Sequence, residues 1–271
     1  MTEPIINILR LIFIGTATTI VRIIGQLAIP TGEQTVLSPS IFAQNGTMPV
    51  AFTIYGIFAY SLIAALFLLI RKRTGGNRIW QGLRYGLACC AVWIVYLWEP
   101  LPHVAPLDRI TYPVADGLAL LVMGLLLGWL FGQTRPPVKK CRLKPLALPV
   151  LIIILCFIAG RLLLYCVAGI YSSFPEKTVE TLLWCLLAGF VTACAMAWLN
   201  RYVSGDSQIN RAMILGGLLF GADLLLFNFF MPLVFAADIP DLILRTLTDT
   251  FTVSVGCLAF PNPQKGACNC D

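Results

Sequence analysis

The sequence predicts an all-α protein, a polytopic membrane helical bundle of about eight transmembrane helices made as a 4+4 tandem repeat, with both termini in the cytoplasm. Three observations predict it. The 271 residues are 58% hydrophobic and 12% charged, against about 45–50% and 25% in an ordinary soluble domain, and a water-soluble core cannot absorb that excess. Stretches such as 118–131 and 146–159 are apolar all round a helix, and a bilayer core about 30 Å thick takes roughly 20 such residues to cross. Finally, the charges between the apolar stretches alternate in character from one loop to the next.

The apolar runs place helices at about 5–29, 50–70, 80–99, 112–133, 146–171, 178–199, 209–231 and 241–260. The first is not a cleavable signal. Arg22 interrupts it, it exceeds the usual apolar core of about 7–15 residues, and no small-residue cleavage site precedes Pro30. Alternate loops carry Arg71, Lys72, Arg73 and Arg78, then Arg135, Lys139, Lys140, Arg142 and Lys144, then Arg201 and Arg211, with Lys265 in the tail. By the positive-inside rule that side is cytoplasmic. The other loops hold Glu33, Glu99, His103, Asp108, Arg109, Glu176, Lys177, Asp238 and Asp241, a mixed set that faces outward. The net charge of +6 therefore belongs to short loops, not to a nucleic-acid surface.

The two halves share an order of features. Arg22 and Arg161 each come late in the first helix of a unit, and Gly82 with Gly86 in the third helix is echoed by Ala212 with Gly216 in the seventh. Pro100 and Pro232 close those helices, and Asp116 and Asp249 come early in the fourth and eighth. The chain then divides into a first four-helix unit (1–135), a basic cytoplasmic linker (136–145), a second four-helix unit (146–262) and a cytoplasmic tail (263–271). Four crossings per unit keep the orientation on duplication, so the units are related by an axis along the membrane normal. The stretch Ile79-Trp80-Gln81-Gly82-Leu83, followed by Gly86, an apolar run, Glu99-Pro100-Leu101 and a Pro-rich loop, resembles the YagU-like bacterial inner-membrane proteins over residues 10–133, with the second half a diverged copy. That resemblance implies a small multi-pass protein of the bacterial inner membrane and transfers no catalytic or binding residue.

Without a hydrophobic drive between helices in lipid, small residues mark contact faces. Gly124, Gly128 and Gly132 form such a ridge, as do Gly82 with Gly86 and Gly217 with Gly221; they pack helices within one chain or, alternatively, form a homo-oligomer seam. Trp80, Trp98, Tyr112, Trp129, Tyr165, Tyr171 and Trp198 stand near span ends as interfacial anchors. Seven of the ten cysteines fall inside spans and read as packing residues, while Cys141, Cys268 and Cys270 fall on the cytoplasmic side, where thiols stay reduced.

Charges inside spans are the informative residues, because one at the bilayer centre costs about 2.5–3.5 kcal/mol and needs a partner. Arg22, Asp116, Arg161, Glu180, Asp223 and Asp249 all fall in the outer half, level with Glu99. Two readings follow. These seven either form structural ion pairs, Arg22 with Asp116 or Glu99 and Arg161 with Asp223 or Asp249, or they line an outward-facing site between the repeats that binds a small polar ligand, an ion or a lipid headgroup. The surplus of carboxylates favours a cation or proton over an anion. His103, the single histidine, lies between prolines as a solvated turn residue, and its solitude excludes bis-histidine haem and multi-histidine metal sites. No serine-hydrolase elbow or phosphate-binding glycine loop is present. No catalytic residue, metal or cofactor is expected. The leading expectation is a small transporter-like or permeation protein, the alternative a non-catalytic scaffold or stress-related membrane protein, and a lipid-modifying enzyme comes third.

Overall fold

A computed structural model describes residues 3–30, 32–134, 146–203, 205 and 207–261. The expected linker and tail, with Arg135, Lys139, Lys140, Arg142, Lys144, Lys265, Cys141, Cys268 and Cys270, lie outside the described residues. The regular structure described is helical: α1 (Glu3–Ala28), the one-turn α2 (Ile41–Gln44), α3 (Met48–Ile70), α4 (Arg78–Leu97), α5 (Asp108–Phe131), α6 (Ala147–Leu163), α7 (Thr178–Leu199), α8 (Gln208–Ala212), α9 (Asp223–Asn228), α10 (Met231–Val234) and α11 (Ile239–Cys257). Two π-helical stretches extend these, Leu164–Ala168 after α6 and Met213–Ala222 between α8 and α9. Among the described residues, six helices are long and apolar enough to cross a bilayer: α1, α3, α5, α6 with its π turn, α7, and the run Gln208–Val234. α4 and α11, of 20 and 19 residues, are shorter and more polar; α11 carries Asp241, Arg245 and Asp249.

Local chemistry sets the ends. Asn77 caps α4 by accepting from the Ile79 N–H at 3.0 Å, and Ser207 caps α8 by accepting from Asn210 at 3.0 Å. Gly169, at φ 65°, takes the left-handed conformation that stops the α6 extension. Pro113 does not open α5 but sits inside it, so the helix starts at Asp108, four residues before the expected boundary. Proline has no N–H for the carbonyl four residues back; that carbonyl, on Arg109, instead accepts the Trp98 indole N–H at 2.9 Å.

Packing follows one pattern in each half. α1 packs on α3 and α5, and α4 on α5; α6 packs on α7 and α11, and the π segment after α8 on α11. Contacts of α4 with α7 and α9 join the halves. The glycine ridges are used within the chain: a Cβ on Gly82 would run into the Gly124 and Gly128 backbone, and one on Gly86 into Leu120 and Gly124. In the second half Gly216 meets Ser254 and Gly221 meets Thr250, whereas Gly217 faces only Met213 of its own helix. The expected pair Gly217 and Gly221 is thus replaced by Gly216 and Gly221. Bonding from i to i+5 in the π stretch widens the turn and shifts the packing face from that of a 3.6-residue helix, and here Gly216 and Gly221, five apart, both meet α11.

Candidate functional site

A cavity of about 810 Å³ lies between the halves at one end of the bundle. Its walls are the C-terminal ends of α1, α4 and α9 and the N-terminal ends of α3, α5 and α11, so these helices run in alternate directions. Gly32 and Gln34, from the connection between α1 and α3, also line it. That connection is tied down on both sides: the Gly32 N–H donates to Asp108 Oδ1 at 2.7 Å, Ser40 N–H to the Val234 carbonyl at 3.1 Å and Ala236 N–H to the Ser38 carbonyl at 2.9 Å. A loop of the first half is therefore fastened onto the second beside the cavity, a closer role than that of a plain surface loop.

Arg22 and Asp116 stand at the cavity's inner end. Two parallel bonds join them, Nε to Oδ1 at 2.6 Å and Nη2 to Oδ2 at 2.8 Å, the bidentate form that fixes both side chains. The guanidinium lies 4.0 Å from the centre of the Phe230 ring, 5.0 Å from Phe52 and 5.6 Å from Trp93. Arg161 and Asp249 repeat this arrangement in the second half, at 2.9 and 2.6 Å through the same atoms, with Trp184 4.8 Å from the guanidinium. Burying an unpaired ion costs several kcal/mol, which such pairing offsets.

The second pair belongs to a larger network. Glu99 Oε1 accepts from Arg161 at 2.9 Å and from Arg245 at 2.8 Å, and Asp249 also accepts the Tyr96 hydroxyl at 2.9 Å. Arg245 donates onward to the Tyr171 carbonyl. Asp223 has no ion pair among the described residues and accepts the Trp93 indole N–H at 3.0 Å.

The seven expected site residues therefore separate. Arg22, Glu99 and Asp116 line the cavity. Arg161, Asp223 and Asp249 are buried and do not line it; Arg161 touches its wall through Glu99 and Asp249 through Tyr96, while Asp223 bonds Trp93, which stands behind the wall. Glu180 does not join them; it pairs with Arg109 at 2.7 Å on a half-exposed surface. Five titratable cavity residues are absent from the expected set: Arg245, Asp108, Tyr112, His103 and Tyr96. Three of them had a periodic signal. Asp108, Tyr112 and Asp116 recur every four residues, as do Asp241, Arg245 and Asp249, which puts each trio on one helix face.

His103 keeps the turn position expected of it but is only partly exposed. It lines the cavity, its ring stacks on Tyr171 and its Nδ1 is 3.1 Å from the Tyr171 hydroxyl. Burial, reinforced by the charge of Arg245, lowers its pKa to about 4, so the ring is neutral near pH 7. The unfolded chain, with an ordinary histidine, takes up this proton near pH 6.5, before the folded one does. Stability tied to His103 is thus intact above pH 6.5 and lost as pH falls toward 4. His103→Gln is expected to flatten that loss by about 1–3 kcal/mol, read as the difference in melting temperature between the variant and the unaltered protein across that window.

The described fold is that of a helical, multi-pass membrane protein with an internal cavity. Comparison of the chain with protein-family models, curated proteins and solved structures found no match.

Proposed function

We propose that the chain is a small transporter-like or permeation protein of the bacterial inner membrane. It crosses the bilayer eight times as two tandem four-helix units, with both termini inside and a polar site opening outward between the units. The observation that carries this reading is the 810 Å³ cavity, within the size range of small-molecule sites, set between the halves with Arg22, Glu99 and Asp116 in its walls.

Other features agree with it. α4 and α11 complete the shared packing pattern, and the pairs Arg22–Asp116 and Arg161–Asp249 occupy corresponding helices through the same atoms. Arg71, Lys72, Arg73 and Arg78 flank the ends of α3 and α4 remote from the cavity, so the positive-inside rule turns the cavity outward. The reading also places the chain with the YagU-like proteins that its stretch 79–101 resembles. The scaffold reading draws on a different observation, that Arg22, Arg161 and Arg245 are each bound to a carboxylate and so serve to hold helices together.

Reconstitution separates the two. Full-length protein in liposomes is loaded with a labelled solute panel of organic cations, zwitterions and anions, and flux is compared with a variant whose cavity is filled by Thr53→Trp, a position on its wall. Flux of at least one solute that the filled variant loses is the expected result. A panel with no variant-sensitive flux or binding would leave the scaffold reading in its place.

A further inference from the structure

Among the described residues, the ion pairs engage every charged side chain lining the cavity but one. Arg22 faces Asp116, and Glu99 is held by Arg161 and Arg245. Asp108 is only 4% exposed, lines the same cavity and has no cation within 4.0 Å among the described residues. Its hydrogen bond from the Gly32 N–H engages Oδ1 alone. Two helical turns separate it from Asp116 on the same face of α5, about 12 Å along the axis, with Tyr112 between them.

A carboxylate in a largely apolar wall with no resident counter-ion draws positive charge to itself. Aromatic rings add to that attraction through their negative faces, and Tyr112, Phe230, Phe235 and His103 all line this cavity. The protein already shows the combination at work deeper down, where the Arg22 cation rests against Phe230, Phe52 and Trp93 and is gripped by Asp116. Asp108 offers the same chemistry nearer the mouth, without a cation of the chain's own. Apolar side chains such as Ile23, Leu27 and Leu101 make up much of the remaining wall and suit a ligand with a hydrophobic body.

We propose that the cavity binds a lipophilic organic cation, with its charge beside Asp108 and its apolar body against the aromatic wall. The proposal rests on the cavity being a ligand site, and its test separates the two claims. Purified full-length protein in lipid nanodiscs is titrated with tetraphenylphosphonium and with tetraphenylborate, ions of similar shape and opposite charge, after correction for partition into protein-free discs. Saturable binding of the phosphonium, at least about tenfold tighter than that of the borate, is expected. Asp108→Asn keeps an acceptor for the Gly32 N–H and should weaken phosphonium binding at least about tenfold, whereas Asp108→Glu should stay within about threefold of the unaltered protein.

Equal affinity for the two ions, or an Asp108→Asn variant that binds the phosphonium unchanged, overturns the cation assignment. Borate binding that Thr53→Trp abolishes overturns it too, while leaving the ligand cavity standing. If neither ion binds in a way that Thr53→Trp removes, the assignment falls, and the solute panel then judges the cavity by itself.

Discussion

Arg161→Met is expected to leave little folded protein, although no part of that side chain reaches solvent or the cavity. The guanidinium holds Asp249 by two bonds and Glu99 by one, and Tyr96, Phe157 and Trp184 close around it. Methionine fills much of the volume and supplies no charge. Glu99 would keep Arg245, but Asp249 would keep only the Tyr96 hydroxyl. Breaking a buried pair in this way costs about 3–5 kcal/mol, a large part of the roughly 5–15 kcal/mol that holds a typical domain together. The double variant Arg161→Met with Asp249→Leu removes both charges and should recover most of the loss, since apolar replacements of a whole buried pair are often neutral. Yield after solubilisation and melting temperature measure both effects, and the double-mutant cycle isolates the coupling. A double variant no more stable than Arg161→Met would refute the view that an orphaned Asp249 causes the damage.

Why could the sequence reveal the pairing but not the site? Hydropathy makes spans visible because lipid demands long apolar runs, and the helix expected at 178–199 is Thr178–Leu199 in the fold. Intramembrane charges are equally legible, since each must find a partner, and Arg22 with Asp116 and Arg161 with Asp249 are among the pairings the sequence allowed. What depth along a helix does not give is azimuth across the bundle. Glu180 comes in the first turn of its helix but pairs at the surface with Arg109. Asp108 and Arg245, near helix starts, look like interfacial charges until tertiary packing buries them at 4% exposure each. The carboxylate surplus first inferred from two arginines shrinks once Arg245 joins the network, and the remaining argument for a cation moves to Asp108. The π stretch at Met213–Ala222 was hidden for a related reason: helical patterns are read at 3.6 residues per turn, and a local change of period shifts the packing face without changing composition.

The two bidentate pairs, alike in geometry, supply a control for the second large effect. Arg22→Ala and Arg161→Ala delete the same guanidinium from corresponding pairs, and each should cost about 3–5 kcal/mol by stranding a buried aspartate. The two vacancies differ in one respect, because Arg22 and Asp116 line the cavity while Arg161 is fully enclosed. A small cation such as ethylguanidinium can reach the first through the cavity and take the place of the lost group between Asp116 and the Phe230 ring. Binding only to the folded state stabilises it by RT ln(1 + [L]/Kd), about 2.7 kcal/mol at a hundredfold excess over Kd. Ethylguanidinium should therefore raise the melting temperature of Arg22→Ala in a saturable manner, and Asp116→Asn added to that variant should abolish the rise. Arg161→Ala should show no such response beyond that of the unaltered protein. Equal rescue of both variants would mean that the ion acts by entering a loosened bundle, and equal failure would mean that Arg22 is as sealed as its counterpart and that the cavity does not lead to it.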